Sequence, residues 1–406
     1  MKTLPFVVCR RSLLPIALGL LLGPLSVVSG QELDKSYSFD FQSDPFEHGW
    51  YWDKATWEKK RGEPGTAEWA RHEENPEHGC IVVSDGLWRS PKIGVEPLAF
   101  VRVSIRSKAA SNGYWGLLSY DAEDVEIPAS PYSQIPQSEG WIGNEAAVLI
   151  PEEAKYCRVL LWPRESPIHA DDISVSPISR EQALAIAEQT HGANPPVEPS
   201  YETAAETALP KTMNRLEGRA HLTILFLGDS VSNDAANSNF QLLLERQFPG
   251  CKIDLLNKVG SGTSADAFLE NDRIGDMLEK HEPHLVVFGG ISNTLQSIPS
   301  IRLLAERVQK REGTEFLACT GTMLMPRYWA NYERSRDHRK PYRNALKSAG
   351  AKQGFGVCDL GRAWEDYART CGKPVEYFRR DGHHANERGK QVFGHLFAAY
   401  FCDLGE

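Results

Sequence analysis

Two short stretches of the 406-residue chain carry residue types able to work as a nucleophilic site. The first is "GDS", Gly228 to Ser230, directly after the apolar run "LTILFL". The second is "DGHH", Asp381 to His384. A serine hydroxyl attacks a carbonyl only when a base takes its proton, and that base needs an acid to hold its tautomer. Asp381 and His384 stand three apart, in a turn ahead of the last helical pattern. That spacing lets the carboxylate hold the imidazole Nδ1–H while Nε2 faces a hydroxyl. The oxyanion formed by attack needs donors as well. "NKVGSGTSA", Asn257 to Ala265, has glycines that allow a backbone N–H to point at a substrate oxygen. "VVFGGISN", Val286 to Asn293, ends in an amide side chain able to donate.

Each stretch has a plainer reading. Asp and Ser are favoured at any helix start, because their oxygens accept from the first unpaired N–H groups. Asp381, His383 and His384 together could be read as metal ligands. Adjacent histidines in a strand-like turn are expected to point apart, and no further ligand cluster is evident. Spacing from Asp381 favours His384 over His383 as the base.

Taken together, the four stretches resemble the SGNH (GDSL-type) hydrolase family, over the region from roughly Leu222 to the C-terminus. The resemblance assigns the nucleophile to Ser230, whose own N–H also joins the oxyanion hole. It assigns the second donor to Gly262, with Gly260 as the alternative, the third to Asn293, and the acid and base to Asp381 and His384. It implies a flavodoxin-like α/β/α fold, ester hydrolysis through an acyl-enzyme, and no metal or other cofactor. Two departures stand out. "GGISNT" has one extra residue before Asn293, so strict spacing would select Ser292, and Thr294 replaces the family's acid. "VSNDAAN" replaces the usual block after the nucleophile, which implies a differently shaped pocket there.

The elements that must position these residues follow from pattern. Beyond about Leu222 the chain alternates strand, loop and helix. Strands are expected at Leu222–Leu227, Lys252–Leu256, Leu285–Phe288, Glu315–Cys319 and Gly356–Asp359. Phe240, Leu243, Leu244 and Phe248 share one helical face, as do Phe393, Leu396, Phe397 and Tyr400. Such alternation predicts a parallel sheet covered on both sides, with ligands beyond the carboxyl ends of its strands. The loop "TMLMPRYW", Thr322 to Trp329, is expected to wall the pocket.

From Ser36 to Ile178 the grammar differs. "FVRVSIR", "YCRVLLW" and "DISV" read as strands, and "SDG" and "SNG" as turns, so an all-β sandwich or jelly roll is expected. Eight of the ten tryptophans lie here: Trp50, Trp52, Trp57, Trp69, Trp88, Trp115, Trp141 and Trp162. Tryptophans fill cores and also stack on sugar rings. The layout resembles jelly-roll carbohydrate-binding modules, and by association Asp171 or Asp172 could help hold a structural calcium. Residues 179–218 form a helical and Pro-rich linker, opened by a capping box at Ser179 and Gln182. The expected division is thus 1–30, 36–178, 179–218 and 219–406.

The N-terminus reads as an export signal. Lys2, Arg10 and Arg11 precede the apolar stretch Leu13 to Val28, and Val28-Ser29-Gly30 suits cleavage before Gln31. Arg10-Arg11 partly matches a twin-arginine signal. An uncleaved anchor is the competing reading, but Pro15, Gly19, Gly23 and Pro24 interrupt the stretch. Removal of these three basic residues takes the formal charge from -9 to -12. With no long basic run, nucleic acid is an unsuited partner. Seven of the eight cysteines follow the signal, and Cys80–Cys157 and Cys371–Cys402 are conceivable bridges in a periplasmic or extracellular protein. Three functions fit: a secreted carbohydrate esterase acting on an acylated polysaccharide; a lipase-like or arylester hydrolase with a structural β-domain; and a glycan-binding protein with an inactive hydrolase domain.

Overall fold

The parallel strands are largely apolar and buried, and they make the frame for the site. The computed structural model describes residues 36–53, 66–72, 76–198, 201, 205–289, 297–321 and 332–402, with the side chains of 53 and 332–338 excepted. The expected signal at 1–30, Trp57, Asn293 with Ser292 and Thr294, and the loop 322–329 lie outside the described residues.

Five strands, Leu222–Leu227, Ile253–Asn257, Leu285–Gly289, Glu315–Cys319 and Gly356–Cys358, form one parallel sheet. Counted along the chain, their spatial order is 2-1-3-4-5. "LTILFL" is apolar except at Thr223 because both faces are buried. Ile224 and Phe226 enter one core, and Leu225 and Leu227 enter the other. Helices Phe240–Gln247, Leu360–Thr370 and Glu387–Ala398 cover the first face. Its centre is aromatic, with the Phe240 and Phe397 rings 4.6 Å apart and edge-on. Helices Ala265–Leu269, Arg273–His281 and Ile298–Gln309 cover the other. All the expected parallel strands are present, within a residue at each end.

Between Tyr37 and Ile178 the described residues form strands only, in two antiparallel sheets. In the first, Ser138–Leu149, Phe100–Ala109, Ile168–Ile178, Gly79–Val83 and Ala67–Arg71 are successive neighbours, and Tyr37–Phe39 pairs with Ile168–Ile178. In the second, Tyr51–Asp53, Leu87–Arg89, Tyr156–Trp162, Gly113–Tyr120 and Tyr132–Ile135 are neighbours, with Ile93–Gly94 on Tyr156–Trp162. Val101, Val103 and Ile105 of the first sheet share a core with Leu117, Val159 and Leu161 of the second. Trp50 and Trp115 are buried in that core and Trp52 packs on it, so these three serve as core rather than as a surface platform.

The segment after Ile178 begins as its sequence indicates. Ser179 and Gln182 close a capping box on helix Arg180–His191. Residues on either side of this segment are in close contact, and Leu33–Glu406 is one compact unit. Arg180 holds Glu245 through two hydrogen bonds of 2.8 and 2.7 Å. Asn239 Nδ2 donates to the Ala147 carbonyl at 3.1 Å, and Lys390 Nζ to the Tyr132 carbonyl at 2.6 Å. Among the described residues no helix is long and apolar enough to cross a membrane.

Neither suggested disulfide is present. Cys80 and Cys157 sit on different sheets as buried thiols, and burial pushes Cys80 up to about 11. The Cys371 and Cys402 thiols donate to nearby carbonyls of Ala368 and Ala398, each at 3.6 Å. Sequence separation carries no information on which strands bring two cysteines face to face.

Candidate active site

The first parallel strand ends at Leu227, and the chain turns at Gly228 into helix Ser230–Ala236. Gly228 has φ +146, and a Cβ there would lie 2.4 Å from Ser232 Oγ and 2.6 Å from the Gly289 carbonyl. Only glycine fits a turn this close to the neighbouring strand. Asp229 is the N-cap: its Oδ1 accepts from the amides of Val231 and Ser232, each at 3.0 Å. The cap is therefore made by the aspartate, and Ser230 is the first residue inside the helix, half-buried, with its hydroxyl available for other work. Burial pushes Asp229 up to about 6, against the hydrogen bonds from Ser232 and Val231.

Ser230 Oγ lies 2.9 Å from His384 Nε2. His384 Nδ1 lies 2.9 Å from Asp381 Oδ2 and 3.1 Å from Oδ1. The amides of His383 and His384 both donate to Asp381 Oδ1 at 2.9 Å. Burial of Asp381 opposes its charged form. The hydrogen bond and charge of His384, the His383 amide and the Arg380 guanidinium outweigh that, and hold the carboxyl well below the usual carboxylate range. A carboxylate fixed on Nδ1 leaves Nε2 as the atom facing the serine, which is the geometry for removing its proton.

His383 is turned to a different task. It gives Asp381 its backbone N–H, while its ring leans on His384, with centroids 4.0 Å apart and planes inclined by 43°. The expectation that the two rings point apart is incorrect here. The segment is a turn folded around Asp381, so the alternation of a strand does not apply. Asp381, His383 and His384 offer ligand atoms within 4.8 Å of one another. Both ring nitrogens of His384 and both oxygens of Asp381 are already engaged by Ser230, by each other and by the turn amides.

The remaining candidates follow the carboxyl ends of neighbouring strands. Gly260 donates its amide to the Gly228 carbonyl at 2.9 Å, so that N–H is committed to joining the two loops. Gly262, two residues on, has φ +65 and open space where a Cβ would stand. Strand Leu285–Gly289 leads into the stretch that contains Asn293.

What clamps the Asp381–His384 turn carries no motif in the sequence. Asp234, one helical turn beyond Ser230, accepts from Arg380 Nη1 at 2.7 Å and from the Ala385 amide at 2.8 Å. Its side chain and that of Arg380 are 2% and 7% exposed. Arg380 Nη1 also reaches the Ala385 carbonyl at 2.5 Å. One carboxylate on the serine's helix thus fixes both flanks of the Asp381–His384 turn. The antiparallel strands add two struts. Tyr114 Oη donates to the Arg380 carbonyl at 3.1 Å, and Asn233 Nδ2 to the Ser130 carbonyl at 2.9 Å. Burial and then the Asp381 charge raise the Tyr114 phenol, keeping it a donor. The available signals were slight: Asp234 lies four after Ser230, and Arg380 adjoins Asp381.

The residues associated with calcium stand elsewhere. Asp171 is fully buried with Oδ2 3.2 Å from His72 Nε2, and burial pushes it up to about 6. Asp172 is mostly exposed and 3.7 Å from Arg106. Neither belongs to a group of three ligating side chains among the described residues.

No protein-family model matches the sequence, and no curated protein does. Among solved structures, the chain is similar to an acetylxylan esterase from Geobacillus stearothermophilus, with 14% identity over 46% of this chain and 96% of that one, and a TM-score of 0.38. It is also similar to a two-domain esterase active on acetylated mannans, with 14% identity over 48% of this chain and 52% of that one, and a TM-score of 0.39. A third likeness is to the enzymatically active domain of tailspike protein 4 of bacteriophage CBA120, with 13% identity over 28% of this chain and 18% of that one, and a TM-score of 0.26. The chain thus spans about half of the mannan esterase and under a fifth of the tailspike domain. These likenesses are slight in sequence and in superposition, and the chemistry of the site stands on its own distances.

Proposed function

We propose that the chain is an exported serine carboxylic-ester hydrolase of the SGNH type, a carbohydrate esterase that removes acetyl or other acyl groups from a glycan. The observation that carries the reading is the unbroken relay Ser230 Oγ to His384 Nε2 at 2.9 Å and His384 Nδ1 to Asp381 Oδ2 at 2.9 Å, at the carboxyl rim of a parallel sheet ordered 2-1-3-4-5. In this reading residues 219–406 form a flavodoxin-like three-layer hydrolase domain, 36–178 a jelly-roll domain with affinity for sugar, and 1–30 a signal peptide.

His384 takes the Ser230 proton as Oγ attacks the ester carbonyl. Asp381 steadies the imidazolium and its tautomer. The N–H groups of Ser230 and Gly262 and the amide of Asn293 hold the oxyanion, helped by the N-terminus of helix Ser230–Ala236. His384 then gives its proton to the leaving sugar hydroxyl. In the second half-reaction it activates water, which releases the acid and frees Ser230.

The test is acetate release from acetylated xylan, acetylated chitin fragments and an aryl acetate, with wild type beside Ser230→Ala and Asn293→Ala. Serine-dependent release from a glycan is the expected result. Asn293→Ala should lose about 10²–10³-fold in kcat and keep measurable turnover, as loss of one oxyanion donor does. Release from the aryl ester alone would retain the mechanism and favour a lipase-like or arylester hydrolase. Equal release by Ser230→Ala and wild type would refute the assignment.

A further inference from the structure

The N–H groups of Ser230 and Gly262 lie on different elements, so an oxyanion hole built from both needs the Gly262 loop set against the Ser230 helix. Two backbone bonds hold that loop to the first parallel strand. The Lys258 amide donates to the Phe226 carbonyl and the Gly260 amide to the Gly228 carbonyl, each at 2.9 Å. Both acceptors precede the helix, so neither bond fixes how the helix lies against the loop. A side-chain bond reaches the helix itself. Asn257, the last residue of strand Ile253–Asn257, donates from Nδ2 to Asn233 Oδ1 at 2.8 Å. Asn233 stands one turn after Ser230 on the same helix and is 7% exposed.

The orientation of these amides follows from their partners. The Ser130 carbonyl can only accept, so the Asn233 atom 2.9 Å from it is Nδ2, and Oδ1 faces the other way. That oxygen takes two donors, Asn257 Nδ2 and Asn237 Nδ2, each at 2.8 Å. Asn237 is the C-cap of the same helix, and its Nδ2 also reaches the Asn233 carbonyl at 2.9 Å. Among the described residues the Asn257 side chain has no further partner: its Oδ1 is buried and accepts from nothing. An unpaired buried acceptor costs at least as much as one neutral hydrogen bond contributes. Stability therefore gives no reason for an amide at position 257, whereas its place between the Gly262 loop and the Ser230 helix does.

We infer that Asn257 is a positioning residue for the oxyanion hole, tying the loop of Gly262 to the helix of Ser230 through Asn233. The inference rests on the serine mechanism proposed above and adds a residue outside the Ser230–His384–Asp381 relay. The test compares wild type, Asn257→Ala, Asn257→Leu, Asn237→Ala and Ser230→Ala on an aryl acetate, with the Tm of each and its affinity for trifluoroacetone. That ketone probes the hole: Ser230 Oγ bonds to its carbonyl carbon, the Oγ proton passes to His384 Nε2, and the carbonyl π pair becomes the oxyanion. Both Asn257 variants should lose about tenfold or more in kcat, short of the 10²–10³-fold of a whole missing donor, with KM within about twofold. The leucine keeps bulk without a donor and covers a failure of the alanine variant to fold. Trifluoroacetone affinity should fall by the same factor as kcat/KM, because the ketone is held as the tetrahedral species. The Tm and the pH midpoint of kcat should stay at their wild-type values, since Asn233 keeps its other bonds and the Asp381–His384 pair is untouched. Asn237→Ala removes an equal bond to the same oxygen without touching the loop, and should keep kcat within about threefold. The inference is overturned if both Asn257 variants keep kcat within about threefold, if kcat falls while the ketone binds as before, or if Asn237→Ala loses as much as Asn257→Ala. Equal turnover by Ser230→Ala and wild type would sink the proposed function and this inference with it, whereas serine-dependent turnover with unaffected Asn257 variants would overturn the inference alone.

Discussion

Asp234→Asn tests whether the buried ion pair under the Asp381–His384 turn is what holds it. The carboxylate has two tasks, accepting from Arg380 Nη1 at 2.7 Å and from the Ala385 amide at 2.8 Å. Asparagine keeps the shape but has one acceptor oxygen and no charge, so its NH₂ must face one of the two donors. Arg380 is left charged and 7% exposed. Removing one partner of a buried pair costs about 3–5 kcal/mol. Arg380 keeps its bond to the Ala385 carbonyl at 2.5 Å, and asparagine can still accept once, so the lower end, about 3 kcal/mol, is expected. Ordinary domains are stable by roughly 5–15 kcal/mol, so the variant should fold and be measurable. The turn carries both Asp381 and His384, and a shift of about 1 Å in a catalytic group costs ~10²-fold. Urea unfolding gives the stability, and kcat/KM on an aryl acetate gives the activity. A double variant, Asp234→Asn with Arg380→Met, should be more stable than Asp234→Asn alone, since it no longer buries an unpaired charge. The reasoning is refuted if Asp234→Asn loses under about 1 kcal/mol and keeps its activity within ~3-fold.

His384→Ala should abolish turnover, whereas His383→Ala should retain it within about fivefold, because His383 supplies a backbone amide rather than its ring; steady-state kinetics on an aryl acetate separate them. The stacked His191 and His395 rings, 3.5 Å apart, are pushed down by burial, to about 4 and about 3. Both are neutral in the folded chain while the unfolded chain takes up protons below its ordinary histidine value. Stability should therefore be full at pH 7.5 and fall as pH drops through 6.5, by about 2 kcal/mol at pH 5 after halving for solvent screening. Urea unfolding at the two pH values measures this, and it should flatten in His191→Phe/His395→Phe. Because the described cysteines are thiols, a reducing agent should leave the Tm unchanged.

What the sequence made legible was local and periodic. "LTILFL" had to be a strand buried on both faces, and "FVRVSIR" a strand with one solvated face, since apolar spacing alone distinguishes them. Ser230, Asp381 and His384 could be named together because each comes with a short motif, and the structure brings them within hydrogen-bonding distance. Asp234 and Arg380 could not be found that way. They pair across 146 positions through one carboxylate and one guanidinium, residue types that occur throughout any surface. The tryptophans stayed open between two roles for a related reason. Trp50 and Trp115 are as compatible with a sugar platform as with a core until their burial is known, and both are core. His383 and His384 failed on geometry, because an alternation rule was applied to residues wrapped around the carboxylate of Asp381.

The antiparallel strands do more than stand in front of the parallel sheet. Tyr114 reaches the turn that carries Asp381 and His384, and the Ser130 carbonyl holds the helix that carries Ser230. Ser133 and the Tyr132 carbonyl hold Glu387 and Lys390 in the first turn of the last helix, which Asn386 caps and which sets where the His384 loop ends. These contacts fall on both sides of the 2.9 Å gap between Ser230 and His384. A hydroxyl–imidazole distance is held only as well as the two elements that bear it, and here both elements are braced from the same pair of strands, Gly113–Tyr120 and Tyr132–Ile135, and the loop between them. The two parts of the chain therefore make one mechanical unit. Strands Gly113–Tyr120 and Tyr132–Ile135 thus bear directly on the geometry of the serine site.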